Sequence, residues 1–432
     1  MKHLCGFIFK AHWRSKRRYV MLGLLLGLIS VTFFIFKQQQ NVEQSQQIMA
    51  IRYNTSSMKL LYENEKAIKR SGLKPFMQAQ NRAKQGDERA FVQLDAISAN
   101  LGSNEAYGVN NGAVLSNSGE QLHMDDRFGP IVVQRAMANR KKLDAQLLKQ
   151  NLPLSSIRYG TGNWTFVISL LPLLTSLAGL VLLVSMIFIE TFYDLTSHRC
   201  YFLTALPLTR RQVFLSQTIV FFIDVCLLLF ICLGFAWGLS TGLGQRLPGT
   251  YPILAQFHHE FTIIPATLVT LSSAFLFLMG CLVIYLFVRL VLISLHALTD
   301  SILRLGTLLL SYSLVFLITL LSYLPGLCPR FILQWLPSSY LQASRVLFGT
   351  DYIAQFFISI TEFNTLPDHP RTMITALIQN LNYYNGSTIG NVGNYDLQYF
   401  GGFLQASAVL GGTIAILLIL NCTWLTRTNR IN

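Results

Sequence analysis

LTALPLTRRQVF, residues 203–214, sets a proline and a pair of arginines between two of the most apolar runs in the chain, 164–190 and 212–242. Pro207, Arg210 and Arg211 suit a surface turn, whereas the flanking runs suit hydrocarbon. Each run exceeds the about 20 apolar residues needed to cross a bilayer core of roughly 30 Å. The wider segment 190–214, ETFYDLTSHRCYFLTALPLTRRQVF, has a period of its own. At about 100° per residue, Phe192, Leu195, Phe202, Leu203 and Leu206 share one helical face. Asp194, Ser197, His198 and Thr204 lie largely on the other. This predicts a short amphipathic helix along the membrane surface. Pro207 then pushes Leu206 out of helical geometry, and Thr209 is placed to cap the helix that rises as the next span.

Composition agrees with a membrane setting. The 432 residues are 52% hydrophobic and 12% charged, against about 25% charged in soluble domains. Mean hydropathy is +0.43. The net charge of +14 is accounted for by basic residues at span ends, where they meet anionic headgroups and set orientation. No nucleic-acid partner is expected. The seven cysteines (5, 200, 226, 232, 281, 328 and 422) form no CxxC or Cys/His zinc spacing and mostly lie in apolar runs, so neither a disulfide framework nor a metal site is expected.

Six segments are long enough to span: 19–37, 164–190, 212–242, 261–294, 303–326 and 402–426. The fourth exceeds what a bilayer requires, so it is tilted, broken or continues beyond the membrane. The first is too long for the apolar core of a signal peptide, has no small-residue cleavage pattern after it, and reads as uncleaved. Lys10, Arg14, Lys16, Arg17 and Arg18 precede it. Arg199, Arg210 and Arg211 flank the second turn, Arg289 and Arg304 the next, and Arg427 and Arg430 follow the sixth span. The positive-inside rule then places both termini in the cytoplasm. Residues 1–18, with Leu4, Phe7, Ile8 and Trp13 among basic residues, read as an interfacial helix.

The expected fold is thus all-α and polytopic. Residues 38–162 form an extracytoplasmic helical domain, with helical spacing before a Gly/Asn/Ser loop at 103–121 and a further helix at 130–151. Residues 327–401 read as short re-entrant or interfacial helices and an outside loop, with Trp335 and Tyr340 at headgroup level. Asn54, Asn163, Asn385 and Asn421 head NxS/T triplets, although Asn421 falls inside a span.

Two catalytic signatures are missing: the chain has no GxxxxGK[ST] and no HExxH. His258, His259 and Glu260 are consecutive and do not share a helical face; they read as a polar span boundary. A non-catalytic membrane subunit is expected. Asp224 is the one acid inside the third span and Arg289 lies near the end of the fourth, where it can snorkel. Asp224 admits three readings: a proton or cation site in a secondary transporter, a partner for a basic residue, or a residue lining a hydrated cavity.

Glu190, followed after a spacer by Leu203-Thr204-Ala205-Leu206-Pro207-Leu208-Thr209-Arg210-Arg211-Gln212-Val213, resembles the inner-loop signature of ATP-binding-cassette (ABC) exporter permeases of the type-2 integral membrane class. That family has an acid ending span two, then a leucine–small–x–proline–x–Ser/Thr–Arg corner leading into span three. Its six spans, interfacial N-terminal helix and short outer helices between spans five and six match the expected layout. The chain departs from the family after span two, where TFYDLTSHR replaces a Glu-Arg-x-x-Gly pattern, and in its large 38–162 region. The resemblance implies that Leu206, Pro207, Leu208, Thr209, Arg210 and Arg211 (191–211 being the coupling corner) dock on an ATPase subunit, supported by Glu190 and Asp194. It also implies a second permease subunit, either a copy or a paralogue, with ATP and magnesium bound by the partner ATPase and none by this chain. The implied setting is a bacterial plasma membrane, and the implied cargo a peptide, drug or lipid-like molecule. Two other classes stand beside it: an ion-coupled transporter using Asp224, and a membrane assembly or sensor protein using 38–162.

Overall fold

The structure is a computed structural model. It describes residues 2–13, 16, 18–38, 40–41, scattered positions between 78 and 93, 142–153, 155, 160–174, 209–257, 261–294, 313–315, 334–341, 343–348 and 402–428. Of the predicted regions, Glu190, Asp194 and Leu206–Leu208, the His258–Glu260 run, most of 327–401 and most of the spans 164–190 and 303–326 lie outside these residues. So does most of the 38–162 region.

The helices are α1 (Lys2–Trp13), α2 (Arg18–Gln38), α3 (142–150), α4 (Asn163–Leu174), α5 (Arg210–Leu243), α6 (Ala266–Ser294), α7 (Ala343–Phe348) and α8 (Phe403–Thr428). A hairpin, β1 (Pro252–Gln256) and β2 (Phe261–Pro265), joins α5 to α6. Among the described residues, four helices (α2, α5, α6 and α8) are long and apolar enough to cross a membrane, which marks the chain as a membrane protein.

Their directions follow from side-chain contacts. Cys5 Sγ approaches Ser216 O at 4.0 Å and Trp13 Nε1 donates to Asp224, both pairs 211 residues apart. Arg18 pairs with Asp224 and Lys37 donates to Leu243 O, both pairs 206 apart. A constant offset means equal rise in the same direction, so α1 and then α2 run parallel to α5. The drop in offset from 211 to 206 means that residues 13 and 18 both arrive at the level of Asp224, with five residues of chain giving no net advance.

Helix α4 runs the other way. Asn163 N–H donates to Gln245 O near the end of α5, and Phe166 meets Phe33 and Phe36 of α2 edge-on, at 5.0 and 6.0 Å. These rings form one apolar cluster with Leu170, Leu228, Cys232 and Ala236. Helix α6 also descends, stacking Tyr285 on Phe221 at 4.0 Å. Helix α8 starts beside the hairpin, where Leu404 N–H donates to Phe257 O, and descends until Asn421 Nδ2 donates to Leu286 O at 3.1 Å. Residues 38 and 163 therefore lie at the same end of the bundle, the Gly244 end. Residues 163 and 209, and likewise 294 and 403, lie at opposite ends.

The fourth apolar run does not begin as a helix. The expected span 261–294 becomes strand β2 up to Pro265 and helix only from Ala266. Thr262, Ile263 and Ile264 favour extended backbone and pair with Leu254 and its neighbours in register Pro252↔Pro265 through Gln256↔Phe261. Both prolines sit at strand ends, where a missing N–H is tolerated.

The Gly244 end is tied by buried polar groups. Asn163 Oδ1 accepts from Leu247 N–H at 2.9 Å and from Trp164 N–H at 3.0 Å. Tyr251 Oη accepts from Ser155 N–H and donates to Pro153 O. Burial pushes the Tyr251 phenol up to about 12, with the Ser155 hydrogen bond pulling the other way. Gly244 is extended, with φ −115, and donates to Ser240 O. A Cβ there would stand 1.9 Å from Thr161 O, so glycine is required by space. Tyr340, expected at headgroup level, is fully buried and donates to Gln334 O, whereas Trp335 is exposed.

Candidate functional site at the Thr209 end

Helix α5 starts where the sequence placed a cap. Thr209 is extended (φ −70, ψ 146) and its Oγ1 accepts from Gln212 N–H at 3.3 Å. Gln212 Oε1 accepts in return from Thr209 N–H at 3.1 Å, completing a capping box. Of the expected coupling residues, Thr209 and Arg211 are exposed, and Arg210 is the first residue of α5. The reciprocal role of Gln212 was legible as Ser/Thr-x-x-Glu/Gln spacing, but the sequence reading did not use it.

The 34 residues of α5 measure about 51 Å at 1.5 Å per residue, well beyond a hydrocarbon core. The 21 residues of α2 measure about 31 Å and match it. Because α2 runs beside Asp224–Leu243, the first fourteen residues of α5 extend about 20 Å past the start of α2.

Helix α1 is clasped to this extension. Leu4 and Ile8 pack on Val220, with Cys5 and Phe9 beside them. At the top of the contact, Arg18 Nη2 lies 2.9 Å from Asp224 Oδ2, and Trp13 Nε1 donates to Oδ1 at 3.0 Å. The guanidinium also stacks over the Trp13 ring at 4.8 Å. Arg18 is 3% exposed and Asp224 0%. The acid is thus engaged by a cation and an indole from two successive helices. Positions 216, 220 and 224 recur every four residues, which places them on one face of α5.

The adjacent face, Phe214, Gln217 and Phe221, meets α6. Arg289 Nη1 donates to Tyr285 Oη at 2.9 Å and Nη2 donates to Gln217 Oε1. The guanidinium sits over Phe214 at 5.0 Å. Arg289 does not snorkel to water; it is held inward at 8% exposure by these neutral groups.

Chemically the site is a set of ion-pair, hydrogen-bond and ring contacts that join α1, α2 and α6 to α5. The described residues contain no group of three or more His, Cys, Asp or Glu able to hold a metal. Cys5, Cys226, Cys232, Cys281 and Cys422 are free thiols. Compared with models of known families, with curated proteins and with solved structures, the chain matches none.

Proposed function

We propose that the chain is the membrane-spanning permease subunit of an ATP-driven ABC exporter, receiving force at Leu206–Arg211 from a separate ATPase subunit. In this reading it has six spans, both termini lie in the cytoplasm of a bacterial cell, and it pairs with a second copy or a paralogue. ATP and magnesium belong to the partner, and a peptide, drug or lipid-like molecule is exported. One observation carries the proposal: the capped start of α5 follows the coupling motif directly and leads into a long extension gripped by α1 on one face and α6 on the other. A push at Thr209 acts on a braced lever, not on a free helix end. The helix directions support the count, since one crossing in 164–190 and one in 303–326 would connect the ends that α4, α5, α6 and α8 leave apart.

The Asp224 carboxylate is already held by Arg18 and Trp13. A transported cation would have to displace both, so this observation favours a clasp over an ion-coupled site. The test is co-purification from native membranes. A tagged chain is expected to bring down a P-loop ATPase, and Arg210→Glu with Arg211→Glu to abolish the association. Recovery of the chain with no ATPase, or an association unchanged by both substitutions, overturns the proposal.

A further inference from the structure

Arg289 has a feature that the joint does not use. Its polar neighbours are neutral, Tyr285 Oη and Gln217 Oε1, and its ring neighbour is Phe214. Its Nε is buried with no hydrogen-bond partner. A guanidinium cannot shed its proton, and a buried cation needs a counter-charge or bears a large desolvation cost. Helices α6 and α8 contain no acid, and α5 contains only Asp224. Asp224 is bound to Arg18 and lies seven residues, about 10 Å, further up α5 than Gln217. Among the described residues no carboxylate pairs with Arg289.

Position identifies the missing anion. Arg289 lies five residues before the end of α6 and level with Gln217, near the start of α5, and span ends meet the polar headgroup band. Exposed Lys10, Lys16 and Arg211 occupy the same end of the bundle. We propose that Arg289 binds the phosphate of an anionic phospholipid between α5 and α6. The free Nε–H and the remaining Nη protons offer the fork that suits two phosphate oxygens. At 8% exposure the guanidinium is not an open surface site. The phosphate enters by displacing a neutral neighbour, Gln217 or Tyr285. The site requires only a membrane and is independent of any ATPase.

The test places the full chain in phosphatidylcholine nanodiscs with and without phosphatidylglycerol and reads the apparent Tm. Wild type is expected to gain at least about 3 °C from the anionic lipid. Arg289→Gln is expected to gain nothing. Gln217→Glu tests the same site with the cation kept: it supplies an internal carboxylate where Gln217 Oε1 already accepts. That variant is expected to be more stable than wild type in pure phosphatidylcholine and to gain nothing from phosphatidylglycerol. A wild type indifferent to phosphatidylglycerol, or a Gln217→Glu protein that gains as much as wild type, overturns the proposal. Inorganic phosphate added to phosphatidylcholine discs distinguishes the source: no gain supports the lipid, and a gain equal to that from phosphatidylglycerol overturns it in favour of a free anion.

Discussion

The Arg18–Asp224 pair sets up a quantitative test of how α1 and α2 are held. At 2.9 Å and an effective dielectric of 20, the Coulomb attraction is about 6 kcal/mol before desolvation is charged against it. Asp224→Asn keeps an acceptor for Trp13 Nε1 and nearly the same volume, but removes the charge. Breaking a buried pair from one side typically costs about 3–5 kcal/mol, since the other charge stays buried. The expected loss is roughly 6–20 °C in Tm. Replacing both partners, Arg18→Met with Asp224→Leu, removes the stranded charge and should restore most of that loss. Differential scanning fluorimetry in nanodiscs reads the stability, and hydrogen exchange over residues 2–13 reads whether α1 detaches. A double variant as unstable as Asp224→Asn would refute the reasoning, because the cost would then come from shape or hydrogen bonding and not from an unbalanced charge.

Three further outcomes follow from local geometry. Thr209→Ala removes one half of the capping box and should cost about 1 kcal/mol of local helix stability, read as about fivefold faster amide exchange at residues 210–213. Gly244→Ala drives a Cβ to 1.9 Å from a backbone oxygen, whereas Gly162→Ala meets the movable end of Leu247 at 2.7 Å; size-exclusion recovery of folded protein should collapse for the first and persist for the second. Tyr251 is neutral when folded up to about 12, against an ordinary value of 10.0. The folded state therefore keeps the proton longer, so stability is full below pH 10 and falls as pH rises towards 12, by up to about 3 kcal/mol. Tyr251→Phe should lack that component of the alkaline decline in denaturant titrations.

Much of this architecture was legible from hydropathy and end signals. The expected spans 19–37, 212–242 and 402–426 compare with helices Arg18–Gln38, Arg210–Leu243 and Phe403–Thr428. Charged or capping residues punctuate those runs, so each boundary has a local cause. Thr209 was readable for the same reason. The strand at 261–265 was not, because a short β-branched apolar run adds smoothly to the hydropathy of the helix after it; Pro252 and Pro265 were the available signal. The partner of Asp224 was invisible, since pairing across 206 residues leaves no local period. Arg289 misled for a related reason: its place near a span end suggested water, but Tyr285 one turn earlier and Gln217 on α5 draw it inward. Asn163 and Asn421 looked like glycan triplets and are buried carriers of backbone hydrogen bonds. The corner Leu206–Leu208, with Glu190 and Asp194, lies outside the described residues, so its docking role rests on the motif.

The 206-residue separation between Arg18 and Asp224 also has a meaning in time. At about 5–20 residues per second, a ribosome takes about 10–40 s to reach the acid after adding the arginine. Throughout that interval Arg18 stands at the end of α2 without Asp224, and a guanidinium there resists passage through the bilayer. The residue that later locks the first helix to α5 is, until then, one of the charges that keep the first helix from sliding through.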